Sequence, residues 1–435
     1  MTSVPSDANE PEVDRTSDTT RGRGRDQRTR LRARARLVAA AAVGAGLVAG
    51  AGWAATAGDD DGATARPADA LELDAEGRSG SQQVLGETRE PGVPSVQRMR
   101  HDDVDFTVTV APSRPGPNLV RIDATGAGHR RHLTGADARP VLVGTTESTE
   151  LVRAVPRPGA SGLWAVVDLP EKYGTVLVTH GPRHRVPFGV DTGFEAQSDD
   201  EVAAWTGDDG AECVTAATAA MLAGGDVPDA CPAQALAPGD AVALRRTVAV
   251  LGERGVAEVA LRSDASPRGR AASAVVRRAA DRAGLEVVDP DAVPGRRNAL
   301  LVVSGWTDAA RSLAAVIARP LPEQPIRDDG TWLAPWLLSP AVVDSTAGAV
   351  VPLDFDIRDP AAQEYSQTLA RYLPGQTPTG SGYAAWRAAR GGTPSPPRLF
   401  AASRAAFMPT MPGHGAHGSE VAWFPGGTVT PVGSL

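Results

Sequence analysis

From Leu37 to Gly58 the chain runs for 22 residues without one charged side chain, LVAAAAVGAGLVAGAGWAATAG. As a helix this segment would rise about 33 Å, enough to cross the ~30 Å hydrocarbon core of a bilayer. Nine arginines (Arg15, Arg21, Arg23, Arg25, Arg28, Arg30, Arg32, Arg34, Arg36) precede it, and Asp59, Asp60 and Asp61 follow it. Arginine on the N-terminal side predicts a cytoplasmic N-terminus, a single-pass membrane helix over 37–58 and an extracytoplasmic bulk. Ala55-Thr56-Ala57 also matches a small-x-small processing site, so the alternative expectation is a secreted chain cut near Ala57. Either way the chain is not a cytosolic enzyme.

The basic head is a topology signal rather than a nucleic-acid surface, because a membrane segment follows it directly. Residues 1–36 read as a disordered cytoplasmic stretch. Beyond them the chain has 35 basic residues against 46 acidic ones, a net charge of −11. Lys172 is the single lysine beside 43 arginines, a bias of coding rather than of chemistry.

Two cysteines, Cys213 and Cys231, lie 18 residues apart. In an oxidising compartment such a pair is expected to form a disulfide. Metal or redox chemistry would call for CxxC spacing or neighbouring histidine, and neither is present. Residues 59–95 are polar, rich in Gly and Ser and without periodicity, which predicts a flexible stalk.

Between 96 and 195 short runs alternate apolar and polar residues (DFTVTVAP, NLVRIDAT, PVLVGTT, ELVRAVPR, GLWAVVDL, GTVLVTH), with Pro and Gly turns between them. That pattern predicts an antiparallel β-sandwich. VTVAPSRPGPNLVRIDATG, SGLWAVVDLP and GTVLVTHG resemble the Ig-like sandwiches of the copper-resistance (CopC/YtkA-like) group. The resemblance covers about 90 residues, at turn and core positions. His101, His129, His132, His180 and His184 fall here and read as solvated loop residues.

From about 197 to 392 helical periods of 13 to 18 residues alternate with short apolar runs (VAEVALRS, LEVVD, NALLVVSGW). This is the signature of a parallel sheet covered on both faces. ERGVAEVALRSDASPRGRAASAVVRRAADRAGLEVV, NALLVVSGWTDAARSLAAV and the closing stretch to GYAAW resemble, in order, one lobe of the type 1 periplasmic-binding proteins, the branched-chain amino-acid receptors. The likeness spans 239–390. Such receptors close two lobes around a ligand, and this chain has room for one. A ligand surface would lie at the carboxyl edge of the strands, around Ser263, Asp264, Ser304 and Trp306.

Residues 393–435 read as a Pro/Gly-rich tail. Within it Met408, Met411, His414 and His417 stand at three-residue intervals. Thioether and imidazole are copper ligands, so these four are candidate metal ligands, and copper is the cofactor that goes with the alternative reading of copper handling. No GxSxG, HExxH, Walker A or CxxC pattern occurs, and no catalytic residues are expected. The combined expectation is a multidomain chain: a membrane helix, an Ig-like sandwich and a single periplasmic-binding-like α/β lobe. It would be a binding or scaffold protein, with solute binding at the lobe. Its partners would be the membrane, through one anchor, and a protein at the cell surface. The alternatives are copper handling through the tail and an assembly protein without a small ligand.

Overall fold

The computed structural model describes residues 82–85, 90–101, 104–126, 140–148, 150–181, 184–404, 423–424 and 427–435. All of them belong to one compact unit, Ala65–Leu435. Residues 1–58 and the Met/His stretch 405–422 lie outside the described residues. Among the described residues no helix is long and apolar enough to cross a membrane.

The first ten strands are β1 (Gln82–Leu85), β2 (Ser95–His101), β3 (Val104–Ala111), β4 (Gly116–Gly126), β5 (Val141–Thr145), β6 (Val152–Arg153), β7 (Val155–Pro156), β8 (Leu163–Leu169), β9 (Lys172–His180) and β10 (His184–Gly193). One sheet runs β1-β2-β3-β4-β8-β7 and the other β10-β9-β5-β6. Neighbouring strands are antiparallel throughout. Alternation sends Val104, Phe106, Val108 and Val110 of β3 into a core that Val176, Val178, Val186 and Phe188 fill from the other sheet. Two sheets around one apolar core form a sandwich. β1 corrects one expectation: part of the stretch read as stalk pairs with β2. The tight β3–β4 connection is organised by Asn118, which is fully buried. Its Oδ1 accepts from the amides of Ser113 and Arg114, and its Nδ2 donates to the carbonyls of Arg114 and Gly116.

The following elements are α1 (Asp199–Thr206), α2 (Gly210–Leu222), α3 (Pro238–Glu253), β11 (Glu258–Arg262), α4 (Pro267–Ala283), β12 (Glu286–Val288), β13 (Asn298–Val302), α5 (Trp306–Ile317), β14 (Thr331–Leu333), α6 (Pro340–Val343), β15 (Gly348–Leu353), α7 (Pro360–Tyr372), α8 (Gly380–Ala389), β16 (Arg398–Arg404) and β17 (Gly427–Ser434). Their strands make one sheet in the order β12-β11-β13-β14-β15-β16-β17. The pairings from β12 to β15 are parallel and the last two are antiparallel. β13, NALLV, has four of its five residues buried, as a strand covered on both faces requires.

The stretch read as a tail is therefore partly core. The Pro-rich run ends at Pro397, after which RLFAASR alternates and pairs with β15. Trp423 is buried, with its Nε1 donating to the carbonyl of Ala362 at 2.7 Å.

Candidate functional site

The chain leaves β11 through α4 toward β12 on one side, and leaves β13 through α5 toward β14 on the other. In an open α/β sheet the crevice outside the carboxyl ends of two such strands is where a ligand sits. Ser263 and Asp264 follow β11, and Ser304 and Trp306 follow β13, so all four predicted residues border this one crevice.

The crevice is occupied by the chain itself. The amide groups in the first turn of α5 are the natural anion site of such a fold. Here Asp264 Oδ2 accepts from Gly305 N at 2.6 Å, and Asp209 Oδ1 accepts from Thr307 N at 3.1 Å. Asp264 Oδ1 accepts from the amide and hydroxyl of Ser266, whose Oγ in turn accepts from Gly269 N at the start of α4. A Cβ at Gly305 would stand 1.7 Å from Asp209 Oδ2, so only glycine lets that carboxylate approach. Burial pushes Asp209 up to about 6, with Glu212 and Asp264 adding to the rise and Thr307 N and Arg268 opposing it.

The predicted aromatic packs into the core of the α/β unit. Trp306 is buried, and its Nε1 donates to the Trp336 carbonyl at 2.8 Å. Trp336 Nε1 returns a bond to the Ser304 carbonyl at 2.9 Å. Below them Arg268 lies 4.7 Å from the Trp336 ring centre and is bidentate to Glu212 of α2. Ser381 of α8 donates to the same carboxylate.

The sandwich closes the edge from outside. The turn between β7 and β8 rests on α5: Gly159 has φ +80°, and a Cβ there would meet the Trp306 carbonyl oxygen at 2.6 Å. Ser339 Oγ donates to the Gly159 carbonyl at 2.9 Å, and Arg157 donates to the carbonyls of Thr206 and Gly207. A second polar contact joins Arg121 of β4, paired with Asp123, to Gln376 before α8 at 2.6 Å. The carboxyl edge of the sheet is thus covered by the loop before α2 and by the sandwich turn.

Cys213 and Cys231 form the expected disulfide, with their Cα atoms 4.9 Å apart. Met408, Met411, His414 and His417 lie outside the described residues. Among the described residues no group of three His, Cys, Asp or Glu side chains is placed to hold a metal ion. The residues that sequence reasoning missed are Asp209, Glu212, Arg268 and Ser381. Glu212 carried a signal: it is the one charged residue in GAECVTAATAAML, a helix of small and apolar residues that is buried from Gly210 to Ala220. A carboxylate in such a helix needs a buried cation.

No family model and no curated protein matches the chain by sequence. Over about a third of the chain its fold is similar to that of solved substrate-binding proteins of the kind the 239–390 pattern resembles. An ABC transporter substrate-binding protein from Desulfitobacterium hafniense in complex with Leu is 15% identical with a TM-score of 0.25, over 34% of this chain and 47% of that one. A branched-chain amino-acid ABC transporter protein from Thermus thermophilus with bound valine is 16% identical, TM-score 0.27, over 34% and 44%. A periplasmic ligand-binding protein of a branched-chain amino-acid transporter from Burkholderia xenovorans is 12% identical, TM-score 0.28, over 47% and 66%. The chain spans about half the length of the first two.

Proposed function

We propose that this chain is a non-catalytic scaffold, tethered outside the cell membrane by residues 37–58, that works through its surfaces and holds no small solute at the carboxyl edge of its sheet. One observation carries this reading: the first-turn amides of α5 are taken by Asp264 and Asp209, both of the chain's own making. A free amino acid at that place would have to displace two carboxylates and the turn at Gly159. The Cys213–Cys231 disulfide supports the extracytoplasmic setting.

The test is thermal unfolding of the chain with each of the twenty amino acids, followed by calorimetric titration of any that shift the transition. A ligand at a hundred times its Kd adds about 2.7 kcal/mol of stability, an easily seen rise in Tm. No shift is expected for any of them. A rise with leucine or valine that Asp264→Ala alters would overturn the reading.

The sequence carries a second reading, copper handling through Met408, Met411, His414 and His417. Cutting the chain after Ala402 would remove β17 and Trp423, so the four residues are better replaced together by alanine. Cu(I) bound one-to-one by the parent and lost in that variant supports copper handling; equal binding by both removes these ligands.

A further inference from the structure

The outer face of α3 and α4 bears six exposed arginines, Arg245, Arg246, Arg270, Arg277, Arg278 and Arg282, against two exposed acids, Glu253 and Asp281. This stands out in a chain whose net charge beyond residue 36 is −11. Nearby arginines that do structural work are paired: Arg254 with Asp329, Arg262 with Asp291 and Arg268 with Glu212. Among the described residues Arg245, Arg246, Arg277, Arg278 and Arg282 have no such ion pair. Arg278 and Arg282 stand one turn apart, where like charges repel and destabilise a helix. Arg282 suits the last turn of α4 and Asp281 lies one turn from Arg277 and Arg278, but Arg245 and Arg246 of α3 have no such offset among the described residues.

Arg245 and Arg282, with Glu253 between them in the lining, flank an open groove of about 490 Å³ between the helices, whose other walls are the small residues Ala249, Gly252, Ala279 and Ala283. The helices approach closely there: a Cβ on Gly252 would lie 3.3 Å from that of Ala283. Small residues there let a phosphate approach the Arg245 and Arg282 guanidinium groups, which match phosphate oxygens in bidentate fashion and outnumber the one carboxylate, Glu253.

We propose that this face of α3 and α4 is a docking surface for an anionic phospholipid bilayer, the membrane to which residues 37–58 tether the chain. Charge complementarity selects the occupant. An acidic protein is on balance repelled by anionic headgroups, so a basic face would set how the tethered unit lies. The tether raises the local concentration, which lets a few surface charges suffice. The inference rests on the membrane-tethered part of the proposed function and is independent of whether an amino acid binds.

The experiment uses residues 65–435, the compact unit that contains every described element. It is sedimented with vesicles of phosphatidylcholine alone or mixed with phosphatidylglycerol, at low and at high salt. Binding to the mixed vesicles alone, weakened by salt, is the expected result. The variant R245Q/R278Q/R282Q should bind at least about tenfold more weakly, since each basic residue at an anionic surface adds to affinity. R100Q/R153Q/R319Q, which removes the same charge from exposed positions elsewhere, should bind like the parent. R278E serves as a second variant if the triple one melts early. No binding to the mixed vesicles, or an equal loss in both triple variants, overturns the proposal. So does capture by soluble polyglutamate without capture by vesicles, which would make the partner an acidic polymer. Tethering is read separately, on whether the full chain stays in the membrane fraction through a high-salt wash, and vesicle binding on sedimentation of residues 65–435, so the two failures are distinguishable.

Discussion

Arg268 and Glu212 meet in a bidentate ion pair, Nη1 to Oε1 at 2.8 Å and Nη2 to Oε2 at 2.7 Å, with side chains 2% and 0% exposed. The pair joins α4 to α2, and through the Pro232 carbonyl and Ser381 it reaches the disulfide turn and α8. Breaking one side of such a pair leaves an uncompensated buried charge, which costs about 3–5 kcal/mol. Glu212→Ala and Arg268→Met should each lose that much in urea unfolding. The double variant should lose clearly less than the sum, because neither charge then remains. Additive losses would mean that the two side chains do not depend on each other.

Gly159 sets how the sandwich meets the α/β sheet. Its positive φ and the 2.6 Å approach of a would-be Cβ to the Trp306 carbonyl both exclude a side chain. Gly159→Ala is expected to cost about 1–3 kcal/mol, the usual range for forced overpacking. Gly330→Ala is the control for backbone strain alone: it shares a positive φ but has nothing within 4 Å of its Cβ. Urea midpoints compare the two, and equal losses would remove the steric contact as the cause.

The disulfide closes a loop between α2 and the short turn at Pro232–Gln234, where the Pro232 carbonyl receives Arg268. For a separation of 18 residues the chain-entropy model assigns about 3 kcal/mol. Cys231→Ser should lower the unfolding free energy by roughly that amount. Adding a reductant should then move the parent's Tm toward the variant's and leave the variant unchanged. A parent indifferent to reductant would mean that the bond is absent in solution.

Local periodicity made much of this fold legible. The alternating runs of β3 and β4 announce strands and NALLV a strand buried on both faces, although alternation did not show that Thr107, Thr109, Arg121 and Asp123, on the other face of β3 and β4, are buried as well. The four residues Ser263, Asp264, Ser304 and Trp306 could be placed at one crevice because strand ends follow from the order of the elements. What fills the crevice was not legible. Asp209 meets Thr307 across 98 residues, and Gly159 meets Ser339 across 180. Contacts at such separation leave no mark on local pattern. β16 and β17 were hidden for another reason: proline before Arg398 and glycine at both ends of β17 look like tail composition, although the edge of a sheet accepts such residues.

Two half-buried carboxyls of the α/β part, Asp209 and Asp240, predict an acid-favoured fold. Burial pushes Asp209 up to about 6 and Asp240 up to about 7. Asp209 is faced by Glu212, Arg268, Asp264 and the Thr307 amide, and Arg157 of the sandwich turn lies in its field. Asp240 is faced by Arg268, Asp354 and Glu212. In the unfolded chain both titrate near about 3.9. Between those limits the folded chain keeps protons that the unfolded chain has released, so stability falls as pH rises. The gain is full below about 4 and is gone once pH passes the folded values. Glu201 and Asp356 act oppositely: hydrogen bonds from Ser198 and from Arg358 hold them below the ordinary carboxylate range. Their stabilisation is lost only as pH falls below about 4, outside the window. The Tm should therefore be highest near about pH 4 and decline toward about pH 8. Asp209→Asn keeps an acceptor for Thr307 N and cannot titrate, so with Asp240→Asn it should flatten the decline. A Tm that rises toward pH 8, or a slope that both variants leave intact, would show that these two carboxyls are already ionised in the folded chain at mildly acidic pH.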